Sequence, residues 1–127
     1  MTDQQGVGLG SVGNVFLFVR QFDDAVDWYE RFVGRPPEQR EKQLAVWQLD
    51  GVRLTVHSED EYNVQAADTA GTVAYFGIDD VDAALAYCEK LGATAHRGPK
   101  TIFSGERLLQ VRDPFGNLFG LVTPPQD

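Results

Sequence analysis

The sequence predicts an α+β protein built from two copies of one small unit. Residues 73–92 (VAYFGIDDVDAALAYCEKLG) repeat the pattern of residues 14–34 (NVFLFVRQFDDAVDWYERFVG) at an offset of 59 positions. At an offset of 65 positions, residues 116–122 (GNLFGLV) match residues 51–57 (GVRLTVH). Self-similarity at such a period indicates two copies of one supersecondary unit, here a strand, a helix and two or three further strands. A unit this small leaves one sheet face uncovered, so we expect the two copies to cover or extend each other.

The first copy opens with a β-type run at residues 14–19 and continues into a helical pattern. Apolar residues recur at helical spacing through residues 22–33, which predicts an amphipathic helix. We expect Asp23 or Asp24 to cap its start, because a short acidic side chain can accept the free backbone N–H groups there. Gly34, followed by two prolines, predicts its end.

The segment LAVWQLDGVRLTVH that follows predicts a β-hairpin. Its Asp50-Gly51 pair matches the signal for a type I′ turn between strands. Strand alternation then places Ala45, Trp47 and Leu49 on one face. We therefore expect Trp47 to belong to the core rather than to stack on a ligand.

The organisation of the chain follows from this repeat. We predict a single domain over residues 1–127, in which residues 1–12 form a loose Gly-rich tail and residues 13–58 form the first module. Residues 59–71 are polar and acidic and are expected to form a linking loop, and residues 72–124 form the second module.

Composition restricts the class of protein and its partners. The chain has 127 residues, 43% of them hydrophobic and 24% charged, which is typical of a soluble globular domain. Its formal net charge of −8 argues against nucleic acids and anionic membrane surfaces as partners. The chain has no apolar run of the ~20 residues that span a bilayer and no apparent secretion signal, so we expect no membrane association. The single cysteine, Cys88, excludes an internal disulfide and favours a reducing, cytoplasmic setting.

The last predicted strand contains a glycine that needs an explanation. In DPFGNLFGLV, residues 113–122, three turn formers are followed by an apolar strand with Gly120 inside it. A glycine within a strand usually marks a close approach of another group or the absence of a functional side chain.

These stretches together resemble the vicinal oxygen chelate superfamily, which includes glyoxalase I, extradiol dioxygenases, fosfomycin-resistance enzymes and bleomycin-binding proteins. The resemblance runs from Asn14 to Thr123 and is carried by the two repeated strand–helix stretches and by VRDPFGNLFGLV. It implies two βαβββ modules whose mixed sheets curl around a shared cleft, either within one chain or across a homodimer. We expect a homodimer.

The resemblance also implies where a metal ion would be held. Enzymes of the superfamily use His, Gln or Glu on the first strand of each module and an acidic residue on each last strand. The matching positions here are Asn14 and Val73 on the first strands, and Thr55 and Gly120 on the last strands. Such a site needs two to four imidazole or carboxylate donors. We therefore predict no metal and no cofactor, with Gly120 marking a lost ligand and leaving volume in the cleft.

The cleft face instead combines aromatic rings with a few polar groups. Besides Val73 and Leu118, which complete its lining, the predicted ligand-binding residues are Asn14, Phe16, Phe18, Thr55, His57, Tyr75, Phe103 and Gly120. Such a set suits a flat organic molecule, because burial and aromatic contact supply affinity. The competing interpretation is that these rings only fill the core between modules or subunits.

Other candidate residues have simpler interpretations. His57 could face the cleft and bind a metal or a proton, but an ordinary histidine near a strand end is the favoured interpretation. His96 is expected at the surface, and Cys88 is expected to be an inert core thiol. Glu106 could act as a general base if it faced inward, but no partner residue supports this. The acidic run at residues 59–61 is expected to be a solvated loop.

Three functions remain open at this point. The leading hypothesis is a metal-free protein that binds a small hydrophobic or aromatic molecule by sequestration, as a bleomycin-resistance protein does, and the acidity of the chain suits a cationic one. The alternative is a metal-dependent lyase or dioxygenase-like enzyme whose ligands are displaced and include His57. A third hypothesis is an interaction module that keeps the fold without a ligand.

Overall fold

The computed structural model describes residues 12–65, 73–102 and 104–125, in which eight strands and two helices occur. The elements in chain order are β1 (Asn14–Val19), α1 (Phe22–Val33), β2 (Gln39–Arg40), β3 (Leu44–Gln48), β4 (Arg53–Ser58), β5 (Tyr75–Gly77), α2 (Val81–Lys90), β6 (Thr94–Thr101), β7 (Arg107–Arg112) and β8 (Leu118–Thr123). A strand, a helix and three strands therefore occur twice, which confirms the predicted α+β fold. No helix in this part of the chain is long and apolar enough to cross a membrane.

The strands form two four-stranded mixed sheets with the same topology. The strand orders are β1-β4-β3-β2 and β5-β8-β7-β6, and in each sheet the first strand pairs in parallel with the last. Within the described residues the two sheets stay separate, so one chain does not close them into a single curled sheet. The predicted cleft therefore has no continuous wall inside one chain.

The outermost strand of the second sheet, β6, is unusual. Seven of its eight residues are exposed, and its pairing with β7 shifts register twice, between Ala95 and Arg97 and between Arg97 and Lys100. His96 lies on this strand and is exposed, as predicted.

The core joins the two modules through their helix sides. Leu17 and Val19 of β1 are buried in the same cluster as Phe119 and Leu121 of β8. Phe32 of α1 lies with its ring centroid 5.1 Å from that of Phe119. The modules thus pack back to back, so each sheet turns its other face away from the common core.

Two polar contacts of α1 fix this arrangement. The Trp28 indole N–H donates to the carbonyl of Leu91 at 2.6 Å, and the Tyr29 hydroxyl donates to Asp113 Oδ2 at 2.5 Å. Asp113 Oδ1 accepts the backbone N–H groups of Phe115 and Asn117, both at 2.9 Å, and so holds the turn before β8. Burial raises the pKa of the Asp113 carboxyl despite these donors, and burial beside that carboxyl raises the pKa of Tyr29.

The start of α1 differs from the prediction. The N-cap residue is Gln21, whose side chain makes no capping hydrogen bond, so the expected capping by Asp23 or Asp24 is wrong. Because the helix starts at Phe22, both acids lie inside the first turn. Their negative charges there interact favourably with the positive end of the helix dipole. The predicted end is confirmed, since Gly34 adopts the left-handed conformation with φ of 94°.

The hairpin and the buried cysteine agree with the sequence. The Leu49 N–H donates to the Val52 carbonyl at 2.8 Å, and Gly51 between them has φ of 81°, which closes the two-residue turn. The predicted type I′ is wrong, because that type needs positive φ at both central residues and Asp50 does not have it. Trp47 is fully buried, as expected for a core residue. Cys88 is also buried, and this burial raises the pKa of its thiol to about 11, so that it stays protonated and inert.

Candidate ligand-binding faces

The two sheets each present a face that points away from the common core. We call these the β1/β4 face (Asn14, Phe16, Phe18, Thr55 and His57) and the β5/β8 face (Tyr75, Gln110, Leu118 and Gly120). Alternation along each strand produces them, because successive side chains point to opposite sides of a sheet. Leu17, for example, is buried in the core, whereas the neighbouring Phe16 is 48% exposed.

Aromatic rings dominate the β1/β4 face. Parallel pairing places Phe16 beside Thr55 and Phe18 beside His57. The Phe16 and Phe18 rings are stacked, with centroids 5.9 Å apart and planes inclined by 19°. The His57 ring lies 5.4 Å from Phe18 and 6.1 Å from Phe16, so three rings form one continuous shelf.

The backbone determines how His57 presents its ring. Nδ1 lies 2.7 Å from the carbonyl oxygen of Ser58. A carbonyl oxygen can only accept a hydrogen bond, so Nδ1 carries the proton and Nε2 is the nitrogen left for a ligand. In the neutral imidazole, Nε2 accepts a hydrogen bond within the aromatic shelf.

A polar pair borders the shelf. The Thr55 hydroxyl donates to Asn14 Oδ1 at 2.9 Å, and Thr55 itself is 2% exposed. One lone pair of the Asn14 amide oxygen is thus engaged, and its second lone pair and the amide N–H groups remain for other partners.

On the β5/β8 face, Gly120 makes room for an aromatic ring. Tyr75 pairs with Gly120 across the parallel strands, and a Cβ at position 120 would lie 2.4 Å from Cδ2 of the Tyr75 ring. The Gln110 side-chain amide donates to the Tyr75 hydroxyl at 2.7 Å and holds that ring over the glycine. The Tyr75 hydroxyl therefore keeps its own proton for another acceptor.

The donor set at these faces does not fit a divalent metal ion. Gly120 has no side chain and lies under the Tyr75 ring, Val73 is apolar, and the Asn14 oxygen is already bonded to Thr55. Among the described residues, three or more His, Cys, Asp or Glu side chains nowhere come together in a way that could hold a metal ion. His57 alone is insufficient for the two to four strong donors that such ions need.

The remaining predicted residues are placed as follows. Val73 is half-buried and precedes β5 rather than lying in it, and Leu118 is half-buried at the start of β8. Phe103 lies outside the described residues. Glu106 accepts a hydrogen bond from the Ser104 hydroxyl at 2.9 Å, so its carboxylate is used within its own loop. Sequence reasoning missed Gln110, although the alternation in RLLQVR places it on the face of β7 that neighbours Gly120.

The acidic run after β4 is folded locally. Glu59 Oε2 accepts from the Arg20 guanidinium at 2.9 Å and from the Gln65 backbone N–H at 2.6 Å. Asp60 Oδ1 accepts the backbone N–H groups of Tyr62 and Asn63, and these bonds lower the pKa of its carboxyl. These contacts organise the loop at the end of β1 and β4.

Comparison with known proteins gives a consistent picture. A model of the Glyoxalase/Bleomycin resistance protein/Dioxygenase superfamily matches residues 11–121. A glyoxalase/bleomycin resistance protein from Catenulispora acidiphila superposes with a TM-score of 0.67 at 25% identity, covering 91% of this chain and 100% of that one. A glyoxalase/bleomycin resistance protein/dioxygenase family enzyme from Burkholderia phytofirmans superposes with a TM-score of 0.74 at 14% identity, covering 90% of this chain and 98% of that one. TnmS3, an antibiotic binding protein from a Streptomyces species, superposes with a TM-score of 0.70 at 22% identity, covering 94% of this chain and 99% of that one. No curated protein matches the sequence.

The chain belongs to the Glyoxalase/Bleomycin resistance protein/Dioxygenase superfamily, the vicinal oxygen chelate class that its repeated units resemble. At the positions that the resemblance matches to metal ligands, this chain has Asn14, Val73, Thr55 and Gly120.

Proposed function

We propose that this protein binds a small, flat aromatic molecule by sequestration, without a metal ion and without turnover. The observation that carries the proposal is the aromatic shelf of Phe16, Phe18 and His57, of which Phe16 is 48% exposed. The apolar surface of stacked phenylalanine rings is costly to hydrate. A planar ligand that covers these rings therefore gains hydrophobic free energy on binding.

The polar groups around the shelf favour recognition rather than chemistry. His57 Nε2, the Asn14 amide N–H groups and the Tyr75 hydroxyl each offer one defined hydrogen bond. Catalysis by proton transfer would need a paired acid or base. The acidic neighbour of His57 is Asp60, whose Oδ1 already accepts the backbone N–H groups of Tyr62 and Asn63, and no hydrogen bond joins the two side chains among the described residues. Binding sites of this kind combine apolar walls with a few fixed polar groups.

Charge favours a cationic ligand. The chain carries a formal net charge of −8, which concentrates cations near its surface. TnmS3, which has the same fold, is described as an antibiotic binding protein, and this agrees with a sequestering role for the present chain.

The complete site requires two copies of the chain. The modules pack through Tyr29, Trp28 and Phe32 on their helix sides, so the β1/β4 and β5/β8 faces open in different directions. Among the described residues, no ring contact or hydrogen bond joins the two faces. A homodimer in which the β1/β4 face of one copy meets the β5/β8 face of the other would enclose the ligand between them.

Titration with proflavine, a planar cation, tests the proposal. We expect saturable binding that Phe16→Ala weakens by about tenfold, because truncating a central aromatic anchor costs on the order of 1.4 kcal/mol or more. Tyr62→Ala is the matched control, since Tyr62 is 83% exposed but lies on the loop rather than on the shelf. Equal affinity of the Phe16→Ala variant and the wild type would contradict the proposal.

The same samples distinguish the enzymatic alternative. Calorimetric titration with Mn²⁺, Ni²⁺ and Zn²⁺ should show no one-to-one binding above background. Tight stoichiometric binding that His57→Ala abolishes would replace sequestration with metal-dependent chemistry centred on His57.

A further inference from the structure

A cavity lies on the helix side of the sheets, and Tyr75 is the one residue of the two outer faces that also lines it. Its volume is about 500 Å³, within the range of small-molecule sites. It lies at the junction of the modules, between the C-terminal end of α1, the β3–β4 turn, β5 and α2. We call it the junction cavity.

The walls of the junction cavity are apolar and come from both modules. Leu17 and Leu54 contribute from the first sheet, and Phe119 and Leu121 contribute from the second. These four residues also belong to the common core, so the cavity is an opening into that core. Cavities with such walls are poor sites for water and favourable sites for apolar groups.

One charged side chain borders this apolar space. Asp50, exposed in the hairpin turn at the rim of the cavity, is the only charged residue in the described lining, and its carboxylate has no hydrogen-bond or ion-pair partner among the described residues. Tyr87 also lines the cavity, but its hydroxyl already donates to the Arg31 carbonyl at 2.8 Å and ties α2 to α1. A ligand with an apolar body and one positive charge matches this combination.

We propose that the junction cavity is a second binding site, which takes a ring-sized organic amine. The ring system lies against the apolar walls, and the ammonium group pairs with the Asp50 carboxylate. The site goes beyond the sequestering face, because Phe16, Phe18 and His57 are not part of its lining. Tyr75 belongs to the β5/β8 face and also lines the junction cavity.

Methyl NMR of the wild-type protein, labelled at Ala, Leu and Val and titrated with 1-naphthylmethylamine, tests the site directly. We expect saturable shifts at Ala84, Leu54 and Leu121, which line the cavity. Ala86, on the exposed side of α2, should not shift, whereas a shift at Val46, which pairs with Thr55 on the outer face of the first sheet, reports binding at the aromatic shelf. Shifts confined to Val46, or no saturable shift at Ala84, would overturn the proposal.

Two variants measure volume and charge separately. Ala84→Leu should weaken binding about tenfold by filling the cavity, whereas Ala86→Leu on the same helix should leave it unchanged. Asp50→Asn should remove the preference for 1-naphthylmethylamine over the anion 1-naphthylacetate. If Ala84→Leu leaves binding unchanged but alters the oligomeric state, the cavity is covered by another copy of the chain and the proposal is wrong. Phe16→Ala should leave the saturable shift at Ala84 intact. Failure of binding at the junction cavity is therefore distinguishable from failure of the sequestering function.

Discussion

At the scale of single residues, position 120 determines the shape of the β5/β8 face. Any side chain there would enter the Tyr75 ring, since its Cβ would lie 2.4 Å from Cδ2. Gly120→Ala should therefore displace that ring, break its bond with Gln110 and cost about 1–3 kcal/mol of unfolding free energy, as for overpacking. Gly77→Ala is the control in urea denaturation, because a Cβ there meets nothing within 4 Å. The double variant Gly120→Ala/Tyr75→Ala should recover much of the loss, and a strictly additive result would contradict the steric explanation.

The protonation of Asp113 is linked to folding. Burial raises the pKa of its carboxyl above the ordinary value of 3.8, so the folded state holds this proton more tightly than the unfolded state does. Its contribution to stability is present below the unfolded pKa and is lost as pH rises through the folded pKa. Asp113→Asn keeps an oxygen for the Phe115 and Asn117 N–H groups but cannot ionise.

The measurement for Asp113 is a difference between two proteins. The unfolding free energy of wild type minus that of Asp113→Asn, followed by urea denaturation from pH 3 upward, should fall as pH rises above about 3.8 and then level off. A difference that rises with pH would mean that the buried carboxylate is stabilised by its donors rather than penalised by burial.

At the scale of elements, the two helices start by different means. Asp80 caps α2 by accepting the N–H groups of Asp82 and Ala83 at 3.0 and 3.1 Å, whereas Gln21 gives α1 no side-chain cap. Asp80→Ala should cost about 1 kcal/mol of unfolding free energy, and Gln21→Ala should change it by less than about 0.5 kcal/mol. Asp80→Asn, which retains the cap, is the control in thermal unfolding. Equal losses for Asp80→Ala and Gln21→Ala would show that tertiary packing, not capping, fixes both helix starts.

The elements themselves were largely predictable from sequence. The helical spacing through residues 22–33, Gly34 and the Asp50-Gly51 turn all have local physical causes, and each is confirmed. The N-cap of α1 was not predictable from sequence. Two adjacent acids are both candidate caps, but the helix begins before them, at Phe22, because that side chain packs against the core. The reason for a glycine at position 120 was only partly predictable from sequence. The repeat identified the position but could not show that the Tyr75 ring lies above it.

At the scale of the whole molecule, the sequence could not show how the modules meet. Repeated units with one apolar side can pair through their sheets or through their helices, and only the tertiary contacts of Tyr29 and Trp28 select the helix side. The outer faces were predicted from strand alternation, but their separation within one chain follows from this packing.

A mixing experiment tests whether two chains share one site. Phe16→Ala damages only the β1/β4 face and Tyr75→Ala only the β5/β8 face, so each variant alone should bind proflavine weakly. If each site joins faces from two copies, a reassembled mixture should regain tight binding at about a quarter of the wild-type sites, because each mixed dimer contains one undamaged pair. Each variant taken alone through the same reassembly is the control. If the mixture of the two variants regains no tight binding, the complete site lies within one chain.

The exposed edge strand β6 has a consequence for behaviour at high concentration. An eight-residue strand open along one side is a template on which another chain could add and start a fibril. Here Pro99 lacks the N–H group needed for such a ladder, the two register shifts break the straight edge, and Arg97 and Lys100 add like charges. These features oppose the addition of another chain to β6, and the remaining edge strands of the two sheets are β1, β2 and β5.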